Sequence, residues 1–381
     1  MRSVMLETDF LVVGAGIAGA GFAYFTAPNR RITIIDMEDQ AGYHTTGRSA
    51  AFYAETYGGA KLQPLTTASK DFFLNPPAGF AEQPMLTTLG AIHVFREDQR
   101  SKAESLFGEM REELPGIVLL NGQTIRDRAP FLGKSTLAGG IDDPDCGNLD
   151  VAALHQGFLR GAKNAGATLL LGAGFEGASY EDGHWTVQTR TGDIRAKTIV
   201  NAAGAWGDEV AERAGVLPVG LSPLRRTIAT IANPTGLPFK KDGPIIIDVD
   251  EKFYFKPEGA GYLVSPADET ESPACDAQPD IEDIALAADL FERATGSTVA
   301  RIEAKWAGLR TFAPDRAPVI GFASDNANFF WNVGQGGYGI QTAPAWSALA
   351  SAIALSLPIP ENLTRHKVRA ELYNPARLAG L

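Results

Sequence analysis

Gly14, Gly16 and Gly19 stand in G-x-G-x-x-G spacing directly after the apolar run Phe10-Leu11-Val12-Val13. Asp36 closes a second apolar run, Ile32-Thr33-Ile34-Ile35. That order predicts a strand, a tight turn, a helix, a second strand and an acid. The first glycine permits the turn, the second lets backbone approach a pyrophosphate, and the third lets helix and strand pack closely. Ile17 and Ala18 open the helix, whose free N–H groups and positive dipole end suit phosphate. Asp36 falls about 20 residues after Gly14, where a carboxylate can accept hydrogen bonds from ribose hydroxyls. Together these residues point to dinucleotide binding. Ala23, four after Gly19, keeps the same helix face small.

Four further stretches carry polar or small residues suited to a ligand. In Ala41 to Gly59, Thr45, Thr46, Gly47, Ser49 and Ala50 are small enough for backbone N–H groups to approach one. Arg48 among them can neutralise a phosphate or hold a carboxylate. Thr198 to Trp206 reads as a strand running into Ala202, Ala203, Gly204 and Trp206, which returns the chain to the first sheet beside the fingerprint. Phe329 to Val333 reads as a strand followed by Gly334-Gln335-Gly336-Gly337-Tyr338-Gly339-Ile340 and a helix from about Thr342. The glycine spacing recurs there without a ribose acid downstream, so this loop is expected to admit a flat ring closely, with the helix dipole aimed at it. In Phe253-Tyr254-Phe255 the period of two leaves Tyr254 opposite its neighbours, so one face packs and the other offers a phenol. Tyr53 and Tyr57 are read one helical turn apart.

The elements that must position these residues fall into an interrupted pattern. With 381 residues the chain is too long for one compact core, and two domains are expected. The fold class is α/β: a Rossmann-like dinucleotide-binding domain (βαβ on a parallel sheet plus a β-meander) with a second α+β domain on a mixed or antiparallel sheet. The first domain is expected over 1–64, 145–215 and 311–381, the second over 65–144 and 216–310. In the second, Lys61 to Leu74, Ser101 to Leu114 and Ile281 to Ala294 have helical spacing, and Leu86 to Phe95 reads as one strand.

Net charge of −11 argues against nucleic acid and anionic membrane surfaces as partners. Cys146 and Cys275 form no disulfide framework. The five histidines show no metal-ligand spacing, and no metal is expected. The N-terminus does not read as a signal peptide. Ala343 to Pro360 lacks charges but is rich in Ala and Ser, and is read as a buried helix rather than a transmembrane segment. A cytoplasmic enzyme is the expectation.

The segments GAGIAG, Asp36, GYHTTGRSAAFY, IVNAAGAW, FYFKP, WAGLRTF and GQGGYGIQT together resemble the D-amino-acid oxidase superfamily of FAD-dependent oxidoreductases, across essentially the whole chain. Within it the set looks most like the bacterial D-arginine dehydrogenases. The resemblance implies FAD, held without a covalent bond, and oxidation of a D-amino acid to an imino acid that water hydrolyses to a 2-oxo acid and ammonia. Gly14, Gly16, Gly19 and Asp36 would hold the ADP half, and the Thr45 to Ala50 loop would run along the pyrophosphate and flavin. Arg310 of WAGLR would clamp the substrate carboxylate, with Tyr254 donating to it. Arg225 or Arg226 would be a second cation, Tyr57 would close the pocket, and the Gly337 carbonyl would receive the substrate amine. The electron acceptor, whether oxygen, a quinone or another, is left open.

One departure bears on selectivity. The resemblance implies a glutamate near Leu86 to Phe95 for a guanidinium side chain, but the strand reads TTLGAIHVF, with Gly90 near the expected place. A buried cation without a carboxylate is costly, so apolar or small D-amino acids are expected rather than D-arginine. Alternative readings are a sarcosine-type, N-methyl or cyclic amino acid oxidase, a 2-hydroxy-acid dehydrogenase, and a flavin-binding subunit without chemistry of its own.

Overall fold

A computed structural model describes residues 5–132 and 137–379. The fingerprint forms as its apolar runs dictate. The strand Leu6–Val13 feeds the helix Ile17–Thr26, which returns through the strand Ile32–Ile35, parallel to the first. On the other side of Leu6–Val13 lies Ile194–Asn201, also parallel, with Val13 opposite Asn201. The return of this late strand to the fingerprint is borne out. The eight-stranded sheet is completed by the hairpin Phe175–Glu181 and His184–Thr189, by Thr168–Leu170, and by the pair Val319–Phe322 and Phe329–Val333. Its inner strands are buried on both faces: Val12 packs with Phe22, Ala23 and Trp346 of the helices, and Leu11 and Val13 pack with Phe175, Trp185 and Val187 of the meander.

Helix Ile17–Thr26 lies against the sheet because its glycines let it. A Cβ on Gly19 would sit 1.9 Å from the Gly14 carbonyl oxygen, and one on Gly21 would sit 2.1 Å from Ser347 Oγ. Ala23 is fully buried in the same layer, beside Phe22 and Trp346.

The second sheet has nine strands. In order these are Thr270–Glu271, Ser222–Ala232, Gly261–Ser265, Tyr254–Glu258, Ile245–Asp248, Ala91–Phe95, Gly139–Asp143 and Val118–Asn121, with Ile302–Phe312 paired to Ser222–Ala232. It is mixed, since Ile245–Asp248 runs parallel to Ala91–Phe95 while its other pairs are antiparallel. One face packs Ile92, Ile246, Phe255 and Val264 under the helices Gly122–Arg128 and Ile281–Thr295. The other face carries Ala91, Ile228, Ile247, Tyr254 and Leu263 and looks toward Ala50 and Ala54 of the first region.

Several local expectations change. The stretch from Leu86 to Phe95 is two strands, Leu86–Thr88 and Ala91–Phe95, in different sheets. Gly90 breaks it with φ +78, and the amides of Leu89 and Gly90 both donate to the Cys146 carbonyl, at 3.0 and 2.9 Å. Tyr53 and Tyr57 are not on a helix. Phe52–Tyr53 is a short strand whose alternation sends Tyr53 into the core, where its hydroxyl donates to the Thr66 carbonyl at 3.2 Å. Helix Gly59–Leu74 runs across the expected boundary at 64/65. Among the described residues no helix is long and apolar enough to cross a membrane.

Candidate active site

A cavity of about 480 Å³ opens where the glycine turns of the first sheet meet the second sheet's inner face. Its walls include Gly14, Gly16, Ile17, Ala18 and Asp36 from the fingerprint, and Thr45, Thr46, Arg48, Ser49 and Ala50 from the following loop. Ala202, Ala203, Gly204 and Trp206 contribute from the returning strand, and Gly336, Gly337, Gly339 and Ile340 from the second glycine loop. Arg226 and Arg310 line it from the second sheet. Segments from the two ends of the chain, Gly14 and Ile340 among them, thus share one wall.

The fingerprint end is pre-arranged. Gly14 holds φ +105, and a Cβ there would stand 2.5 Å from the Ala202 carbonyl oxygen. Asp36 accepts from the Ala15 amide at 2.7 Å and from the Glu38 amide at 2.9 Å, which fixes its carboxylate at the cavity wall. The Ile17 amide, at the helix start, donates to Thr46 Oγ1 at 3.0 Å. Thr46 therefore joins the polar loop to the helix terminus. His155 donates its Nε2 proton to the Ala15 carbonyl at 2.8 Å, and burial holds its pKa below the usual value, so the ring is neutral.

Arg48 does hold a carboxylate, but one of this chain. It pairs with Asp276 and donates to the carbonyls of Ala277 and Ala307 at 2.9 and 3.1 Å. It ties the fingerprint side to the second region rather than standing free for phosphate. His44 pairs with Glu38 at 3.0 Å and lies 4.7 Å from the Trp206 ring.

Strand pairing decides between the two adjacent arginines. Arg226 sits opposite Gly308 and Leu224 opposite Arg310, so Arg226 and Arg310 share a face. Arg225, opposite Leu309, points the other way, to Asp283 at 3.0 Å and Asp280 at 3.6 Å at the start of helix Ile281–Thr295. Arg225 is thus not at the cavity. Arg226 is 7% exposed, donates to the Asp268 carbonyl at 2.7 Å, and reaches Glu269 at 3.4 Å. Glu269 is shared with Arg316 at 2.9 Å. Burial raises the Asp268 carboxyl pKa, partly countered by its bonds from the Thr227 amide and hydroxyl.

Arg310 is the least compensated charge here. Its Nη1 donates to the Tyr57 hydroxyl at 2.9 Å, and among the described residues no carboxylate lies within ion-pair distance. A Cβ on Gly337 would lie 2.9 Å from both Arg310 Nη1 and the Tyr57 oxygen, so a larger residue would displace one or both ends of that pair. Tyr254 is 5% exposed, and its hydroxyl has no partner among the described residues. A deep guanidinium without an anion and a buried phenol without an acceptor both call for a ligand.

Some expected residues stand behind the wall. Gly19 serves helix packing. Tyr57 and Tyr254 flank Arg310 without lining the cavity themselves. Gly334 makes the turn out of Phe329–Val333 with φ +76, and Tyr338 packs on Tyr57 at 4.8 Å and Phe312 at 6.2 Å. The helix after this loop is Ala343–Ala354, and none of its residues lines the cavity. Its Ala345 amide is taken by Ser69 Oγ at 3.1 Å. The turns Tyr338 to Thr342 lie between the cavity wall at Gly339 and Ile340 and the first turn of this helix.

Gln341 escaped the sequence reading. Its side chain accepts from the Ala54 amide at 3.2 Å and donates to the Tyr57 carbonyl at 3.3 Å, pinning the loop that presents Tyr57. Its place inside GQGGYGIQT was the available signal.

The comparisons with known proteins agree with this layout. The family model for DAO, FAD dependent oxidoreductase, matches residues 9–353. Mouse mitochondrial dimethylglycine dehydrogenase is 25% identical over 88% of this chain, which covers only 41% of that relative's length. Glycine oxidase of Bacillus licheniformis is 23% identical, over 92% of this chain and 94% of its own. L-proline dehydrogenase from P. horikoshii superposes with a TM-score of 0.83 at 20% identity, covering 99% of both chains.

Proposed function

The chain belongs to the DAO family of FAD-dependent oxidoreductases, and from that premise we propose that it oxidises the Cα–N bond of free D-amino acids. FAD is the cofactor, and the cavity suits it: Gly14 and Gly16 line it without side chains at the helix start, and Asp36 stands at its wall where it would meet a ribose. We take it to be held without a covalent bond, so acid precipitation should leave the yellow colour in the supernatant.

The carrying observation is Arg310, a deep cation with a tyrosine but no carboxylate beside it. A substrate carboxylate supplies the missing charge. Because Arg310 donates to the Tyr57 oxygen, the Tyr57 proton is free to donate onward to that carboxylate. The unpartnered Tyr254 hydroxyl supplies a further donor, and Arg226 a second cation. The two arginines also lower the pKa of a nearby amine, favouring the neutral form whose lone pair assists hydride departure. The Gly337 carbonyl is the acceptor assigned to the amine.

Bound FAD would supply the acceptor for the hydride that leaves the substrate carbon. The amine gives up a proton, and water then hydrolyses the imine to a 2-oxo acid and ammonia. The D configuration rests on the motif resemblance. A second reading, oxidation of N-methyl or cyclic amino acids, is supported by the relatives named dimethylglycine dehydrogenase and L-proline dehydrogenase.

Anaerobic mixing with D-, L-, N-methyl and hydroxy acids tests both. Bleaching of the flavin by D-amino acids in preference to the others is the expected result. Bleaching by N-methyl or cyclic substrates alone would replace the first reading with the second. Reoxidation in air then separates oxidase from dehydrogenase.

A further inference from the structure

Beside the charged clamp lies an apolar wall. Phe52 sits on a short strand whose alternation buries Tyr53 on one side and turns Phe52 to the other. Its ring centroid lies 5.5 Å from that of Tyr254 and 6.2 Å from that of Tyr57. Those are the two phenols that flank Arg310. Around Phe52 the same cluster gathers Ala50, Leu89, Ile228 and Trp306, and the buried Lys256, two residues after Tyr254, is already taken up by Glu258 at 3.2 Å and Asn148 Oδ1 at 2.7 Å.

The acids of this neighbourhood are already engaged. Asp143 is brought into register with Ala91, next to Gly90, so tertiary structure does bring a carboxylate near the place where the sequence lacks one. Its Oδ2 accepts from Thr56 Oγ1 at 2.9 Å and from Cys146 Sγ at 3.1 Å, and its Oδ1 accepts from the Asp145 amide at 3.1 Å. Glu55 is held by Thr67 and, at 3.1 Å, by Lys70. The nearest atom to a Cβ built at Gly90 is Arg128 Nη2 at 3.5 Å, a cation. Since Arg128 is itself paired with Asp142, a cationic substrate side chain would find only acids already engaged there.

We infer that Phe52 is a specificity-determining residue and that the enzyme selects amino acids with uncharged apolar side chains, which lie against its ring. This rests on the amino acid reading above and deepens it. A carboxylate held by Arg310 between the two tyrosines leaves the Cα substituent beside the ring that bridges those tyrosines. Burying an apolar group there gains free energy, and burying a charged one costs it.

The test compares kcat/KM for leucine, phenylalanine, alanine, arginine and glutamate, both enantiomers of each, in the flavin-loaded enzyme and in Phe52→Ala and Phe52→Leu. Leucine or phenylalanine should exceed arginine and glutamate by tenfold or more in the parent enzyme, following the usual discrimination of apolar pockets. Phe52→Ala should cut the leucine-to-alanine ratio roughly tenfold while alanine turnover changes less, and Phe52→Leu should restore most of it. Flavin content and thermal midpoint identify a variant that has merely misfolded; the parent preference then decides alone. A parent preference for arginine or glutamate, or a ratio unmoved in a folded Phe52→Ala, overturns the inference while the amino acid reading stands. Flavin reduced by none of the amino acids overturns both.

Discussion

The Arg310 guanidinium donates to the Tyr57 hydroxyl at 2.9 Å, and a methyl group on the Cα of Gly337 would press on both partners of that bond. Three segments distant in sequence meet in this one contact. It joins a strand of the second sheet, a loop after the fingerprint and the late glycine loop.

Replacing Arg310 with Met should raise KM sharply and lower kcat/KM by roughly 100-fold or more, the usual cost of removing one partner of a buried charge contact. Flavin content should stay near that of the parent. Steady-state kinetics against the preferred amino acid checks this, and an unchanged KM would remove Arg310 from carboxylate binding.

Gly337→Ala tests the space beneath the same pair. The added Cβ would fall 2.9 Å from Arg310 Nη1 and from the Tyr57 oxygen, so one or both must move. We expect activity to fall at least tenfold, because small displacements of substrate-positioning groups are costly. Flavin absorbance should persist, since the clash is with the clamp and not with the fingerprint.

The two adjacent arginines should part company. Arg226→Met should impair kcat/KM by about tenfold or more, as loss of a second cation facing the substrate. Arg225→Met should leave kcat/KM within about twofold and lower the thermal midpoint instead, because Arg225 bonds Asp283 and Asp280 away from the cavity. The reverse pattern would contradict the strand register.

Asp315 gives a pH prediction. Burial pushes its carboxyl up, but the Arg377 guanidinium, the Ala317 amide and Lys61 outweigh this and bring it to about 2 from 3.8. A lowered folded-state value means that the stabilising contribution is complete above pH 3.8 and is lost as pH falls toward 2. Urea unfolding between pH 5 and pH 2 should therefore show a shallower acid loss in Asp315→Asn, which starts less stable at neutral pH.

Gly14→Ala should yield protein with little bound flavin. Its φ of +105 and the 2.5 Å approach to the Ala202 oxygen leave no place for a side chain. The ratio of flavin to protein absorbance after purification measures the effect.

Local pattern carried the first sheet. The apolar runs, the glycine spacing and Asp36 determined the fingerprint, since strand, turn and helix there are set by residues within thirty positions of one another. The motifs WAGLR, FYF and GQGGYG marked the chemistry-bearing segments through their resemblance to a family. What only tertiary structure decided is which neighbour faces what. Arg225 and Arg226 are indistinguishable in sequence, and the pairing of Arg226 with Gly308 turned one inward. Gly90 kinked what read as one strand into two. Asp143, far from Gly90 in sequence, came to rest beside it but bonded to Thr56 and Cys146. Register, parity and the commitment of an acid to its own chain are long-range facts. They depend on where a second strand lies, which the spacing of residues along one strand does not contain.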